Sequence, residues 1–383
     1  MQYFNFYIPV RIKFGVGLWE KIPEESYSLG AKKILIVTGK KHLKSTGILA
    51  RLINIYNNYP IDVYIFDEVP PEPPYYVVDQ GAEIVKTKNI DLIVGIGGGS
   101  ALDVAKAIAV KVNLPGTIWD YVGENSNKIT MKGIPTILAP TTAGTASEVT
   151  RVSVLINPET KEKLSIRHDF LYATLAIIDP YLTLSLPKEN TAYSGLDAFI
   201  HSLESFLSIN SNMVTEPLAL TALRTIYKYL PRVYNNLERI DLREKVLYAS
   251  TISGIAFTQT GLGGIHALAH PIGAYANIPH GLACALITIP VLEYNLEILT
   301  KEKISALGRA LGVYSLRSAK ERILKKIAEL FSVLNIRLGL HNYGIKWQDL
   351  PNIAKEAPKT GSYKTNPRTL TYEVVLEILK KAF

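Results

Sequence analysis

The stretch NIDLIVGIGGGSALDVAK, residues 89–106, decides the fold of the first half of the chain. An apolar run, short and rich in isoleucine, leucine and valine, reads as a buried strand. Gly97, Gly98, Gly99 and Ser100 stop it, and ALDVAKAIAV (101–110) continues with the spacing of a helix. Glycines at such a junction let backbone amides approach a ligand, and the first turn of the helix favours an anion. The stretch therefore predicts a diphosphate cradle. The spacing is not GxGxxG, and a tight strand-to-helix turn without a ligand accounts for the same residues.

The pattern repeats on both sides. KKILIVTG (32–39), DVYIFDEV (62–69), GIPTILAPTT (133–142) and TLAIIDP (174–180) read as further strands. Helices are expected near 45–57 and 75–88, the second after the stop PPEPP (70–74). Strands alternating with helices predict βαβ units and a mainly parallel sheet. After about residue 185 the strand signals fade. ENTAYSGLDAFIHSLESFLS, EPLALTALRTIYKYLPRVY and REKVLYASTISGIAF place apolar residues at i, i+3, i+4 and i+7, the helical period. The expected organisation is an α/β domain over residues 1–184 and an all-α domain over residues 185–383.

Composition agrees with two globular domains. The chain has 383 residues, 48% hydrophobic and 20% charged. MQYFNFYIPVRIKFG (1–15) lacks the basic region, apolar run and small-residue cleavage site of a signal peptide. The longest uncharged apolar stretch, near 272–292, is broken by Pro279, His280 and Pro290, so no membrane span is expected. Cys284 is the only cysteine. That excludes an intrachain disulfide and a thiolate cluster, points to nitrogen and oxygen ligands for any metal, and fits a cytoplasmic location. Few cysteines and methionines with abundant lysine, isoleucine and tyrosine hint at a thermophile. The net charge of +8 is scattered. Its densest run, SLRSAKERILKKIAEL (315–330), reads as a solvated helix face rather than a polyanion site, so no nucleic-acid partner is expected. A mild positive field still favours anionic ligands such as a nucleotide.

Three further patterns carry chemistry. PTTAGTASEVT (140–150) gathers Thr141, Thr142, Thr145 and Ser147 after a strand, where α/β folds place ligands. VTGKKHLKSTG (37–47) has Gly39, Lys40 and Lys41 where an acidic residue would hold the ribose of NAD. Two lysines without an acid lean towards NADP(H) and a 2′-phosphate, unless they only coat the surface. Finally, Asp197 and His201 stand four apart, as do His266 and His270, and His280 follows. Residues four apart share one helix face. An aspartate with histidines is a nitrogen and oxygen set suited to Fe²⁺ or Zn²⁺. HALAH lacks the glutamate of a zinc peptidase, since Ala267 stands there. A nucleotide loop with a metal site suggests hydride transfer, a metal polarising an alcohol or carbonyl oxygen beside a nicotinamide.

FGVG (14–17), GGGSALDVAK (97–106), PTTAGTASEVT (140–150), GLDAFIHSLE (195–204), GIHALAHPIGAYANIPHG (264–281) and TNPRTLTYE (365–373) together resemble the iron-containing (group III) alcohol dehydrogenases. The resemblance runs over essentially the whole chain. It implies a dehydroquinate synthase-like architecture, with an N-terminal α/β dinucleotide-binding domain, an all-α C-terminal domain and an active site in the cleft between them. It implies metal ligation by Asp197, His201, His266 and His280, with His270 serving as proton relay or substrate positioner. It implies a diphosphate lined by Gly98, Gly99, Ser100 and Asp103, a nucleotide against Thr141, Thr142 and Thr145, and Lys163 near the cofactor ribose. Relatives are often dimers or higher homo-oligomers. Two departures stand out. Gly39 occupies a position where NAD-preferring members often carry aspartate, and Cys284 replaces a frequent asparagine, read as a packing change.

The expected activity is a metal-dependent alcohol dehydrogenase or aldehyde reductase, acting on a small primary alcohol or aldehyde with NADP(H) preferred and NAD(H) possible. Alternatives within the superfamily are glycerol dehydrogenase and maleylacetate reductase, the latter typically without the full metal set. Dehydroquinate synthase would need basic residues where this chain has AFI, ALA and GAYANI. A ligand-storing scaffold without turnover is the non-enzymatic reading.

Overall fold

The computed structural model describes residues 3–160, 162–359 and 361–383. They form two compact units, Tyr7–Leu186 and a second made of Pro187–Phe383 joined by residues 3–6. The sequence expectation placed those first residues with the α/β half instead.

The first unit contains β1 (Arg11–Phe14), β2 (Lys33–Gly39), β3 (Asp62–Val69), β4 (Leu92–Gly97), β5 (Thr136–Pro140), β6 (Val152–Asn157), β7 (Glu162–Arg167) and β8 (Leu175–Ile178). Its helices are α1 (Ile22–Ser28), α2 (His42–Ser45), α3 (Ile48–Tyr56), α4 (Tyr75–Lys88) and α5 (Gly99–Lys111). Six strands make one parallel sheet in the order β1-β8-β5-β4-β2-β3. β4 and β5 are buried along their whole length, so they read as unbroken apolar runs rather than alternating ones. β2 is followed in sequence by β3 on one side, while β4 lies on its other side. The chain order reverses between β2 and β4, and ligands of open α/β sheets bind outside the carboxyl ends of strands at such a point. β6 and β7 form a separate antiparallel pair.

The second unit contains α6 (Lys188–Leu207), α7 (Thr215–Asn235), α8 (Ile240–Thr260), α9 (Gly264–Ala276), α10 (His280–Leu296), α11 (Lys301–Ala310), α12 (Ala319–Val333), α13 (Leu350–Glu356) and α14 (Tyr372–Ala382). α6 is its central element: every residue from Gly195 to Leu207 is buried, and it packs on α7, α8 and α10. α9 ends at Asn277 in the left-handed conformation, φ 51°, and Pro279 then precedes α10. That reversal turns the chain back so that His280 returns towards His266. Gly281 permits the close seating of α10: a Cβ there would lie 2.0 Å from the Tyr193 carbonyl oxygen on α6.

Candidate active site

In the α/β unit, the ends of the neighbouring strands β2, β4 and β5 carry the three loops singled out in the sequence. Gly97 pairs with Pro140 at the ends of β4 and β5, and the Thr141 amide donates to the Gly97 carbonyl at 2.9 Å. Gly98 precedes α5 and Gly99 opens it. A Cβ on Gly99 would meet Thr145 Cγ2 at 2.6 Å, and Thr142 lies against Gly98. Glycine and threonine loops are therefore packed together beside the first turn of α5, whose amides suit a phosphate.

Asp103, expected to line the diphosphate, has protein partners for its carboxylate. Its Oδ2 accepts from the Val154 amide at 2.9 Å, its Oδ1 accepts from the Ser147 hydroxyl, and Lys106 lies 3.3 Å away. Its carboxylate is thus engaged in holding loop 147–154 to α5. Lys106, fully buried, donates to the Ser147 carbonyl at 2.9 Å and also to Val152 O. Burial pulls its ammonium below the usual lysine range, against the opposing pull of Asp103. Lys163, on β7, pairs with Glu72 at 2.6 Å, and the Glu72 amide donates to Ser100 Oγ at 3.3 Å. Gly39 ends β2, and the following Lys40 pairs with Glu68 at 3.0 Å, both largely exposed.

In the helical unit, Asp197 and His201 lie one turn apart on α6, His266 and His270 on α9, and His280 opens α10. Around the buried Asp197 Oδ1 stand His201 Nε2 at 3.7 Å, His266 Nε2 at 3.5 Å and His280 Nε2 at 3.7 Å. Asp197 Oδ1 and His266 Nε2 have no hydrogen-bond partner among the described residues, an arrangement that buried polar atoms rarely keep unless an ion or water completes it. Tetrahedral nitrogen and oxygen ligands at metal distances of about 2.0–2.1 Å stand about 3.4 Å from one another. The separations from Asp197 need only a small inward movement, and the donors of Asp197, His266 and His280 lie within 4.8 Å of one another, so these three fit a divalent cation, while His201 stands outside that mutually close group and reaches it through Asp197. The His201 ring is fixed between His266, 4.6 Å away and nearly parallel, and Phe257 at 4.3 Å. His270 is set edge-on to His280, ring centroids 5.1 Å apart, and is more exposed than His266.

The electrostatics of this cluster have one sense. Burial pushes the Asp197 carboxyl up, but His201 and the other imidazoles outweigh it and hold the group well below the usual carboxylate range. Burial pulls His266 down, and Cys284, Asp197 and Glu204 raise it well above the ordinary imidazole value. A buried carboxylate surrounded by imidazoles draws positive charge into the space between them, which a divalent cation supplies.

Several participants were not singled out from the sequence. Glu204, on α6, accepts from His266 Nδ1 at 2.6 Å and from the Ile265 amide at 2.6 Å. It fixes the ring so that Nε2 faces Asp197, and it caps the start of α9. The signal was present: Glu204 follows His201 by three residues and shares its helix face. Asn366 accepts from the Gly264 amide at 3.0 Å and is locked to Asn295. Cys284, set aside as packing, is fully buried with Sγ 3.7 Å from His280 Nε2. One donor atom each from Asp197, His266, His280 and Cys284 lie within 4.8 Å of one another. The cluster thus holds a sulfur atom beside the nitrogen and oxygen donors expected from the sequence. No helix among the described residues is long and apolar enough to cross a membrane.

A cluster of metal-type donors without a peptidase glutamate, in a chain whose other unit bears phosphate-type loops at a sheet switch point, suits a nicotinamide-dependent oxidoreductase. Comparison with known proteins gives the family. Residues 9–180 match "Iron-containing alcohol dehydrogenase" and residues 191–383 match "Fe-containing alcohol dehydrogenase family, C-terminal". The chain belongs to the iron-containing alcohol dehydrogenase family, and it is an oxidoreductase acting on CH–OH groups. It is 33% identical to the NAD-dependent methanol dehydrogenase of Bacillus methanolicus, over 99% of each chain. It is 34% identical to alcohol dehydrogenase 4 of Saccharomyces cerevisiae, over 99% of this chain and 98% of that one. The crystal structure of a 1,3-propanediol oxidoreductase superposes with a TM-score of 0.94 at 34% identity, covering all of both chains. The family implies a divalent metal and NAD(H).

Proposed function

We propose that this chain interconverts small primary alcohols and aldehydes, with a divalent cation held by Asp197, His201, His266 and His280. The observation that carries the reading is the convergence of three imidazole Nε2 atoms within 3.7 Å of one buried carboxylate oxygen. When bound, the cation supplies Lewis-acid polarisation of an alcohol or carbonyl oxygen, and the nicotinamide supplies or takes the hydride. Asp197 brings the negative charge, the three imidazoles bring neutral nitrogens, and Glu204 keeps the His266 proton on Nδ1. His270, beside His280 and partly exposed, is assigned to orient the substrate hydroxyl or to carry its proton. Apolar neighbours of the cluster, Phe257 and Ala267 among them, favour an uncharged substrate.

For the nucleotide, the amides of Gly98, Gly99 and Ser100 receive the diphosphate at the start of α5, with Thr141, Thr142 and Thr145 beside it. Asp103 acts one step removed, as the positioning residue that seats Ser147 and Val154. Lys163 approaches the ribose from β7. NADP(H) is the preferred cofactor on this reading. The turn after β2 offers Gly39 and Lys40 with no carboxylate of its own, and the exposed Lys40–Glu68 pair is weak enough to yield to a 2′-phosphate. Purified protein loaded with Fe²⁺ or Zn²⁺ should oxidise NAD(P)H with aliphatic aldehydes, and His266→Ala should abolish both metal retention and turnover while nucleotide binding persists. Absence of turnover with either metal and either nucleotide across an aldehyde panel refutes the activity. A kcat/KM higher for NADH than for NADPH refutes the cofactor preference alone.

A further inference from the structure

We propose that Cys284 donates its Sγ to the same cation, so that this chain's metal site includes a sulfur ligand beside its nitrogens and oxygen. The inference rests on the reading above that the Asp197–imidazole cluster holds a metal. Cys284 stands four residues after His280 on α10, one turn along the same face. The side chain is fully buried, and Sγ lies 3.7 Å from His280 Nε2. That nitrogen also faces Asp197 Oδ1 at 3.7 Å. The thiol therefore lies with Asp197 Oδ1 and His266 Nε2, all within 4.8 Å of one another, and these two atoms are among the buried ones without a hydrogen-bond partner among the described residues. A thiol that served packing alone needs no such alignment.

The spacing suits ligation. With a metal–sulfur bond of about 2.3 Å and a metal–nitrogen bond of about 2.0–2.1 Å, neighbouring sulfur and nitrogen ligands stand about 3.1–3.6 Å apart in a four- or five-coordinate site. The Sγ to Nε2 separation of 3.7 Å lies just outside this range and closes with a small inward movement. On ligation the S–H bond breaks, its proton passes to solvent, and the sulfur lone pair forms the bond to the cation. A soft donor in an otherwise nitrogen and oxygen set shifts relative affinity towards Zn²⁺ and away from Fe²⁺.

The test is X-ray absorption at the zinc edge on the full-length protein, stripped with chelator and reloaded with Zn²⁺ alone. Bound zinc is counted by elemental analysis on the same sample. The expected result is about one zinc per chain with one sulfur neighbour at about 2.3 Å and the remaining neighbours at about 2.0–2.1 Å. Cobalt-loaded protein should show a sulfur-to-cobalt charge-transfer band in the near ultraviolet, absent from Cys284→Ser. Should that variant not fold, the wild-type spectra decide alone, since the chain has no other cysteine. Stoichiometric zinc with only nitrogen and oxygen neighbours overturns the sulfur ligand and leaves the metal site standing. Failure to retain zinc or cobalt at all overturns the metal site and the sulfur ligand with it.

Discussion

Glu204→Gln should perturb the proposed metal site without touching a proposed ligand. The Glu204 carboxylate accepts from two N–H groups at 2.6 Å, the His266 ring through Nδ1 and the Ile265 amide. It lies 3.4 Å from the His266 amide as well. Glutamine keeps the shape but replaces one acceptor oxygen with an NH₂ group. If its oxygen takes the Ile265 amide, its NH₂ faces His266 Nδ1. The ring must then move its proton to Nε2, the nitrogen that faces Asp197. If its oxygen takes Nδ1, an amide at the buried start of α9 meets an NH₂ group instead. Loss of such an outer partner weakens metal affinity about 10- to 100-fold, or about 1.4–2.7 kcal/mol. Competition against a chelator of known zinc affinity measures this directly, with circular dichroism confirming an intact fold. Asp197→Asn serves as the control that should lose more. A zinc affinity of Glu204→Gln within about twofold of wild type would refute the argument that the carboxylate sets the His266 tautomer.

The other predictions concern stability. Lys106→Met removes the cation between Asp103, Ser147 O and Val152 O; breaking one side of a buried charged network typically destabilises by about 3–5 kcal/mol. At about 2–4 °C per kcal/mol for a unit of this size, thermal unfolding should begin roughly 6–20 °C earlier, and an unchanged transition would show that the loop does not depend on this lysine. Gly281→Ala should displace α10, because its new Cβ would lie 2.0 Å from the Tyr193 carbonyl oxygen, so stability and zinc retention should fall together; wild-type values for both would show that the helices have room. Burial pulls His42 below its ordinary value of 6.5. The unfolded chain therefore takes up this proton first, and stability is lost as pH falls through 6.5, levelling off below the folded value. The difference in melting temperature between wild type and His42→Gln should shrink from pH 8 to pH 5, and a constant difference would sink the assignment.

The sequence signals for β2, β4, β5 and β8 were strong because each is a largely apolar run bounded by glycine, proline or charge, and β3 carries the β-prone VYIF between its charged ends. β3 and α4 fall where the pattern placed them, at Asp62–Val69 and Tyr75–Lys88. The omissions have a physical source. β1 is only RIKF, half charged, and lies at the sheet edge against β8. Its strand character comes from its partner rather than from its own composition. β6 and β7 are half-buried, with burial alternating along β6. Their pairing is a long-range fact that a local apolar count does not register.

The site divides along the same line. Helical spacing was enough to set Asp197 with His201, and His266 with His270, on common faces, because residues four apart are neighbours whatever the tertiary structure. It could not say that α9 and α10 fold back onto α6, since that depends on the reversal at Asn277 and on Gly281 admitting the Tyr193 backbone. The same limit explains Asp103. The resemblance of GGGSALDVAK implied that Asp103 lines the diphosphate; spacing alone did not show that Val154 and Ser147, from distant parts of the chain, also meet its carboxylate, with Lys106 one turn on in α5. It also explains Cys284. One cysteine rules out a disulfide or a cluster of thiolates, but it does not rule out one sulfur among imidazoles. Only the position of α10, which carries His280 and Cys284 on one face, brings that sulfur within 4.8 Å of the Asp197 and His266 donor atoms.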